Sequence, residues 1–408
     1  MKRSFAIIFM INMVLRVILQ GLLPIFPVIT EKLGATKQVG GMMIAASYAM
    51  LLLGTFLSGK LIPRYTNAKT LLIVTVIPLC LAMAIQGQMT GIAGYVSCSM
   101  ALFFFSGINM MAGIFLIGNF SDTKTVGKNF GIIGISSLLG SLIGGFVTGP
   151  VLYRFGFQTG FLLFSGAMFA TCLSGFLIDK PAQSTSIVHT ERFRMTKRFA
   201  LMLLSYVMAV MLIHVFLFSF SLSMKSAGYN ISQISLYSAL GTALILPVPY
   251  LLGKWTATYS PKRILILVYF LIGLALLFLL IPKSNLVIVM AVALMSVLTH
   301  SGRAIAIPLI FPWFTDKQLP MAQAYLGTAA WLAAIIGYSG IGFSLEQFGL
   351  VTTIVIGTSI ALLAIIILAQ IPATPDKKNE ELYHNNTTNI EGKMETLKSG
   401  IIVDQEIK

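Results

Sequence analysis

Twelve runs of about 18 or more mainly apolar residues recur along the 408-residue chain, and each is long enough to cross a hydrocarbon core as a helix. They lie near 5–28, 39–59, 70–87, 91–119, 129–152, 157–178, 199–223, 231–253, 264–282, 285–313, 320–344 and 350–372. Links such as "QGQMTG" and "PKSN" leave no room for a soluble domain between most of them. Only 10% of residues are charged, against about a quarter in soluble domains. An all-α membrane protein is expected. The polar, basic segment 179–198 divides the runs into two sets of six. The expected organisation is a six-helix bundle over 1–178, a cytoplasmic linker over 179–198 and a second bundle over 199–372. A polar tail over 373–408 is too poor in apolar residues to build a core.

The net charge of +15 raises the question of a nucleic-acid partner, and its placement answers it. With the N-terminus inside, alternate loops on the inner side hold twenty-one of the 28 Lys and Arg, and the outer loops hold five. This is the positive-inside asymmetry, which places both termini in the cytoplasm. A cleaved signal peptide is disfavoured, because no small-residue cleavage site follows the first run and eleven more runs do. Cys80, Cys98 and Cys172 fall in separate runs without paired spacing, so neither a metal nor a disulfide is expected.

The two sets of runs are related. "GKLIPRYTNAKTLLIV" (59–74) and "GKWTATYSPKRILILV" (253–268) share Gly, Lys, Tyr, Leu and Val at an offset of 194. "FSD" at 120–122 meets "FTD" at 314–316 at the same offset, and "FGF" at 155–157 meets "FGL" at 348–350 at 193. Such matches indicate a duplicated membrane domain.

The loop at 59–67 carries a family resemblance. Gly59, Leu61 and Arg64 stand as in the Gly-x-Leu-x-Asp-Arg signature of the major facilitator superfamily, which the chain resembles over residues 1–372. Pro63 replaces the acid, and Thr66 and Asn67 stand where Gly and Arg are expected. The resemblance implies twelve helices in two pseudo-symmetric bundles, and it pairs Arg64 with Asp122 at the gate. A second pattern is similar to the glycine motif of exporters in the fifth helix. It comprises Gly131, Gly140, Gly144, then Gly145 in place of Pro, and Gly149-Pro150. Such glycines permit close helix approach and bending. A third family feature, an Arg four residues before a Gly in the fourth helix, is absent, since Phe103 precedes Gly107 there.

The polar residues inside the runs point to the function. Arg16 and Gln20, Asn109, His214, and His300 and Arg303 fall in the first, fourth, seventh and tenth runs. In the resembled fold those helices line a central cavity. Arg16 and Gln20 are four apart, and His300 and Arg303 three apart, so each pair shares a helix face. All thirteen acids lie in loops or tails. A cation-lined cavity without a carboxylate suits an anionic substrate. No phosphate loop, HExxH, CxxC or paired carboxylates indicate an enzyme or a cofactor.

The expected protein is a monomeric secondary transporter of a bacterial cytoplasmic membrane. It would export a small organic anion, such as a carboxylate siderophore or related metallophore. His214 and His300 are the candidates for proton coupling. A broad drug exporter, or an uptake symporter for an organic anion or sugar, are the alternatives.

Overall fold

The computed structural model describes residues 2–64, 68–120, 126–179, 193–281, 284–315 and 318–372. The passes of the first bundle are α1 (Lys2–Leu22), α2 (Lys37–Arg64), α3 (Ala68–Val74, continuing as Val76–Gln86) and α4 (Ile92–Asn119). Its α5 and α6 form one stretch, Val126–Leu173, broken at Gly156. In the second bundle are α7 (Lys197–Ser226), α8 (Ile231–Leu244 and Val248–Thr258), α9 (Pro261–Phe278), α10 (Asn285–Ile310), α11 (Leu319–Gln347) and α12 (Gly349–Ala369). Among the described residues eleven helices are long and apolar enough to cross a membrane, and the break at Gly156 divides one of them into two passes, giving twelve. In lipid every backbone group must be satisfied within the chain, which leaves runs of this length no competing structure but the helix. The entry to α7 is capped by Thr196, whose side chain accepts from the Phe199 N–H, and α8 opens with an Asn230–Gln233 capping box.

The duplication is written in the backbone. Among the described residues four have positive φ, all glycine: Gly34 (86°), Gly156 (77°), Gly228 (88°) and Gly349 (75°). Gly34 and Gly228 are 194 apart, and Gly156 and Gly349 are 193 apart. Both pairs sit at the same kind of place, a chain reversal between successive passes. An L side chain is strained there, so glycine is required in each copy.

The register of the third pass differs from the reading by sequence similarity. An offset of 194 matches Lys69 with Arg263, but Lys262 plays the part of Lys69 in the second bundle. Lys69 Nζ donates to the carbonyls of Phe176 and Ile178 at the end of α6. Lys262 Nζ donates to those of Ala369 (2.7 Å) and Ile371 at the end of α12. These carbonyls lie at or just beyond the helix ends, where no partner within the helix remains. The buried faces agree: Leu72, Leu79 and Met83 correspond to Leu265, Ile272 and Leu276 at 193. The link from α2 to α3 spans residues 65–67 and that from α8 to α9 only 259–260, so the register slips by one. Burial and capping set the helix phase, and loop identities do not.

We call the end that carries the start of α1 and the end of α12 the terminal end, and the opposite one the distal end. At the terminal end the Ser4 hydroxyl donates to Asp179 Oδ2 (2.6 Å), and the Asp179 N–H donates back to Ser4 Oγ (3.0 Å). The Ser4 hydroxyl holds the Asp179 carboxyl below the ordinary carboxylate range, assisted by the N-terminus, Arg3 and Lys69. A depressed carboxyl pKa stabilises above the unfolded value. This tie is therefore complete at neutral pH and is lost as pH falls through the lowered value.

At the distal end the bundles close on each other along two seams. In one, Gly41 of α2 lies against the Tyr338 carbonyl and Gly342 of α11, so closely that a Cβ on Gly41 would come within 3.0 Å of the Gly342 Cα. In the other, Ser235 of α8 donates to the Gly145 carbonyl of α5 (2.7 Å) and accepts from the Gly149 N–H (3.2 Å). Gly41 and Ser235 are 194 apart, and Gly149 and Gly342 are 193 apart, so the seams are copies of one another in the repeat. The terminal half of α8, residues 248–258, packs instead on α9 and α10 of its own bundle.

Side chains rim the distal end. Ser221 Oγ donates to the Pro24 carbonyl, the Gln38 N–H donates to Glu346 Oε2 (2.7 Å), and Lys225 pairs with Glu31 (2.9 Å). The Glu31–Lys225 pair is solvent-exposed, and such pairs contribute about 0.2–1 kcal/mol. Glu31→Gln is therefore expected to change the transport rate by less than about fivefold, and less still at high salt. A larger loss in vesicle transport would make Glu31 a functional group and not a rim contact.

Candidate functional site

The site lies midway along the helices, where the two bundles face each other. Arg16 of α1 lies within electrostatic range of Arg303 and Tyr48, and His300 lies within range of Arg16. One guanidinium thus comes from each bundle. The Arg16 side chain is part-buried, and its Nε is buried without a hydrogen-bond partner. An unpaired buried donor is costly, and among the described residues no acceptor meets this Nε. Arg303 is exposed although it sits eighteen residues into a 26-residue membrane helix. Among the described residues the carboxylates are Glu31, Asp179 and Glu346, all at helix ends or in links.

The backbone around Arg16 explains its placement. A Cβ on Gly140 would meet the Arg16 side chain, and one on Gly144 would meet the Val17 carbonyl and, at 2.9 Å, Gly21. Gly145 and Gly149, on another face of α5, meet Ala239 and Ser235 of α8. The glycines of the exporter-like pattern therefore work on two fronts. Gly140 and Gly144 seat α1, and Gly145 and Gly149 seat the opposite bundle. Pro150 lies within α5. Gly131 lies in the same helix, with its surroundings outside the described residues.

Next to the cations is an aromatic tier that sequence reasoning did not single out. Tyr48 of α2 is its hub. Its ring centroid lies 5.3 Å from Phe103, 5.5 Å from His214, 5.5 Å from Tyr338 and 6.0 Å from Trp331. Tyr48 and Tyr338 stack at 24°, joining α2 to α11 across the bundle interface. The His214 ring packs on Tyr48 and Tyr338, and its Nδ1 is buried without a partner. Tyr and Trp usually mark the membrane–water interface. Their mid-run positions in "SYAM" (47–50) and "AWLA" (330–333) were the available signal.

The remaining candidates have partners of other kinds. Asn109 is buried between helices, and its amide donates to the Leu72 carbonyl (2.8 Å) and Thr75 Oγ1 (3.2 Å) of α3. Thr75 in turn bonds the Leu71 carbonyl, so the amide serves the joint at which α3 is interrupted. Gln20 Nε2 donates to Ser137 Oγ of α5 (2.9 Å), while its Oε1 is buried without a partner. Arg64 ends α2 with its side chain outside the described residues, and Asp122 lies outside them entirely. Sequence pointed to helices 1, 4, 7 and 10. The structure adds α2 and α11 through Tyr48, Trp331 and Tyr338, and turns the α4 amide towards α3.

Comparison with known proteins gives the same architecture. A bacterial homologue of the human lysosomal transporter Spinster, in an inward-facing and occupied conformation, superposes with a TM-score of 0.71 at 11% identity. That match covers 90% of this chain and 95% of the other. The nucleoside transporter NupG superposes with a TM-score of 0.72 at 11% identity, over 90% and 99% of the two chains. The human organic anion transporter MFSD10 does so at 0.61 and 14%, again over 90% and 99%. At such identities the likeness is one of fold. No curated protein matches by sequence. The sequence model of the Major Facilitator Superfamily matches residues 5–301 and 202–397. With the duplicated six-helix bundles, this identifies a multi-pass membrane transporter: the chain belongs to the major facilitator superfamily.

Proposed function

We propose that the protein exports a small organic anion by alternating access, with carboxylate siderophores or related metallophores as the class of cargo. The observation that carries this reading is the pair Arg16 and Arg303, one guanidinium from each bundle, with no intramembrane carboxylate among the described residues. An exporter of lipophilic cations would offer its substrate an acid. This site offers forked cationic donors, which suit a carboxylate.

In this reading both termini are cytoplasmic, an orientation that the positive-inside loops support, and the membrane is a bacterial cytoplasmic membrane. With that orientation the distal seams are the outer gate, closed in the described state, and the substrate is loaded from the cytoplasm. The protein works as a monomer, since the two bundles between them supply the whole site. Comparative metabolite profiling of cells and medium, with and without the protein, tests the direction. Accumulation of an acid in the medium supports export, and depletion of an external acid replaces it with uptake.

Protons are the coupling ion in this reading, and His214 and His300 the groups that carry them. Replacing both with Gln is expected to abolish transport driven by a pH gradient while downhill exchange continues. Gradient-driven transport that persists in the double variant removes the histidines from coupling.

A further inference from the structure

Arg16 is within electrostatic range both of Tyr48 in the aromatic tier and of Arg303, and these groups lie at different depths. Counted from the distal ends of their helices at roughly 1.5 Å per residue, Tyr338 and Tyr48 lie about 14–17 Å in. His300 and Trp331 lie about 22–24 Å in, and Arg303 about 27 Å in. Tyr48 and Tyr338 are fully packed and close the distal side of the site. Trp331 is only part-buried, and it is the member of the tier nearest the terminal end. One turn further along α11, a Cβ on Gly327 would meet nothing within 4 Å. Gly327 and Trp331 share a helix face with Tyr338, so this open space continues from the tier towards the terminal end. The site therefore has a ring-lined floor, one indole with open space towards the terminal end, Arg16 within electrostatic range of Tyr48 in the floor, and Arg303 within range of Arg16.

Resting on the anion reading above, we infer that the preferred cargo is an aromatic carboxylate: a planar ring that lies on Trp331, with its carboxylate held by Arg16 and Arg303. Aromatic faces select rings by offset stacking or edge contacts at centroid distances of about 4.5–7 Å, and a saturated ring cannot reproduce these. Arg alone would take any carboxylate. Trp331 adds the distinction between flat and saturated rings. The Phe103–Tyr48 contact keeps the floor rigid, because each ring is fixed by a neighbour from another helix.

The test compares 2-naphthoate with decahydro-2-naphthoate on the purified full-length protein in nanodiscs. The two acids share charge and skeleton, and the saturated one is the more hydrophobic, so simple burial would favour it. Binding is followed by calorimetry, and by Trp331 fluorescence in a Trp255→Phe, Trp313→Phe background. The expected result is about three- to tenfold tighter binding of 2-naphthoate. Trp331→Leu should bring the two acids to parity by weakening 2-naphthoate alone, and Trp331→Phe should keep most of the preference. Equal binding of both acids by the unaltered protein overturns the inference and leaves the anion reading standing. Failure of both acids to bind overturns the two together. A preference that survives in a folded Trp331→Leu variant overturns the role given to the indole.

Discussion

Arg16→Lys and Arg303→Lys are each expected to lower affinity for the anionic substrate at least tenfold and to remove most transport, while the protein still inserts and folds. Lysine keeps the charge, so the loss measures geometry. A guanidinium presents parallel N–H groups in a plane and binds a carboxylate bidentately, whereas an ammonium is a point charge on a flexible stem. One charge-assisted hydrogen bond contributes about 1.5–3 kcal/mol, which is at least tenfold in affinity. Arg16 is the sharper case. Its Nε is buried and unpaired, and lysine has no donor at that position.

On the anion reading the same pair would act as a coupling device. With no anion bound, two cations in electrostatic range would oppose closure between the bundles. A bound carboxylate would neutralise that repulsion and bridge α1 to α10, so that closure would follow binding. Equilibrium binding on purified protein, alongside transport in vesicles, decides the matter. Unchanged affinity in both variants would make the arginines structural and dispose of the anion reading.

The second large effect is expected at the distal seams. A side chain at position 41 would run into the Tyr338 carbonyl, and one at position 149 into Ser235, with the Ile231 carbonyl 2.6 Å from the Cβ. Backbone atoms cannot step aside as the tip of a flexible side chain can. Overpacking of this kind costs about 1–3 kcal/mol, enough to shift a two-state equilibrium roughly five- to 150-fold. Gly41→Val and Gly149→Val should therefore hold the distal end apart and reduce transport at least about fivefold. Gly166→Val, where nothing lies within 4 Å, should leave it unchanged.

The readout is labelling of Ser219→Cys by an impermeant maleimide from the distal side, in protein whose three native cysteines are replaced by Ser. Ser219 is fully buried in the described state, so labelling should rise sharply in the two seam variants. Normal labelling together with normal transport in both would show that the glycine seams do not form the gate. Because the two seams are related by the repeat, the two variants should behave alike. A large difference between them would mean that one seam opens without the other.

Much of the fold was legible in residue order. Twelve apolar runs, a polar midpoint and an offset near 194 sufficed for two six-helix bundles, because lipid leaves an apolar run of that length only the helix. The positions of Arg16, His300 and Arg303 were legible for the same reason: a cation in hydrocarbon is expensive, so its presence is a signal by itself. Periodicity and identity could not supply the partners. Lys69 was matched with Arg263 because loop letters coincide, whereas tertiary packing chose Lys262, the lysine that reaches the open carbonyls of its bundle's last helix. Asn109 read like a cavity residue, and only the approach of α3 assigned its amide to Leu72 and Thr75. The aromatic tier around Tyr48 was the least visible part. Tyr, Trp and Phe cost little in an apolar run, so the mid-run positions of Tyr48 and Trp331 are only a faint mark, until helices from both bundles bring their rings within about 6 Å of one another.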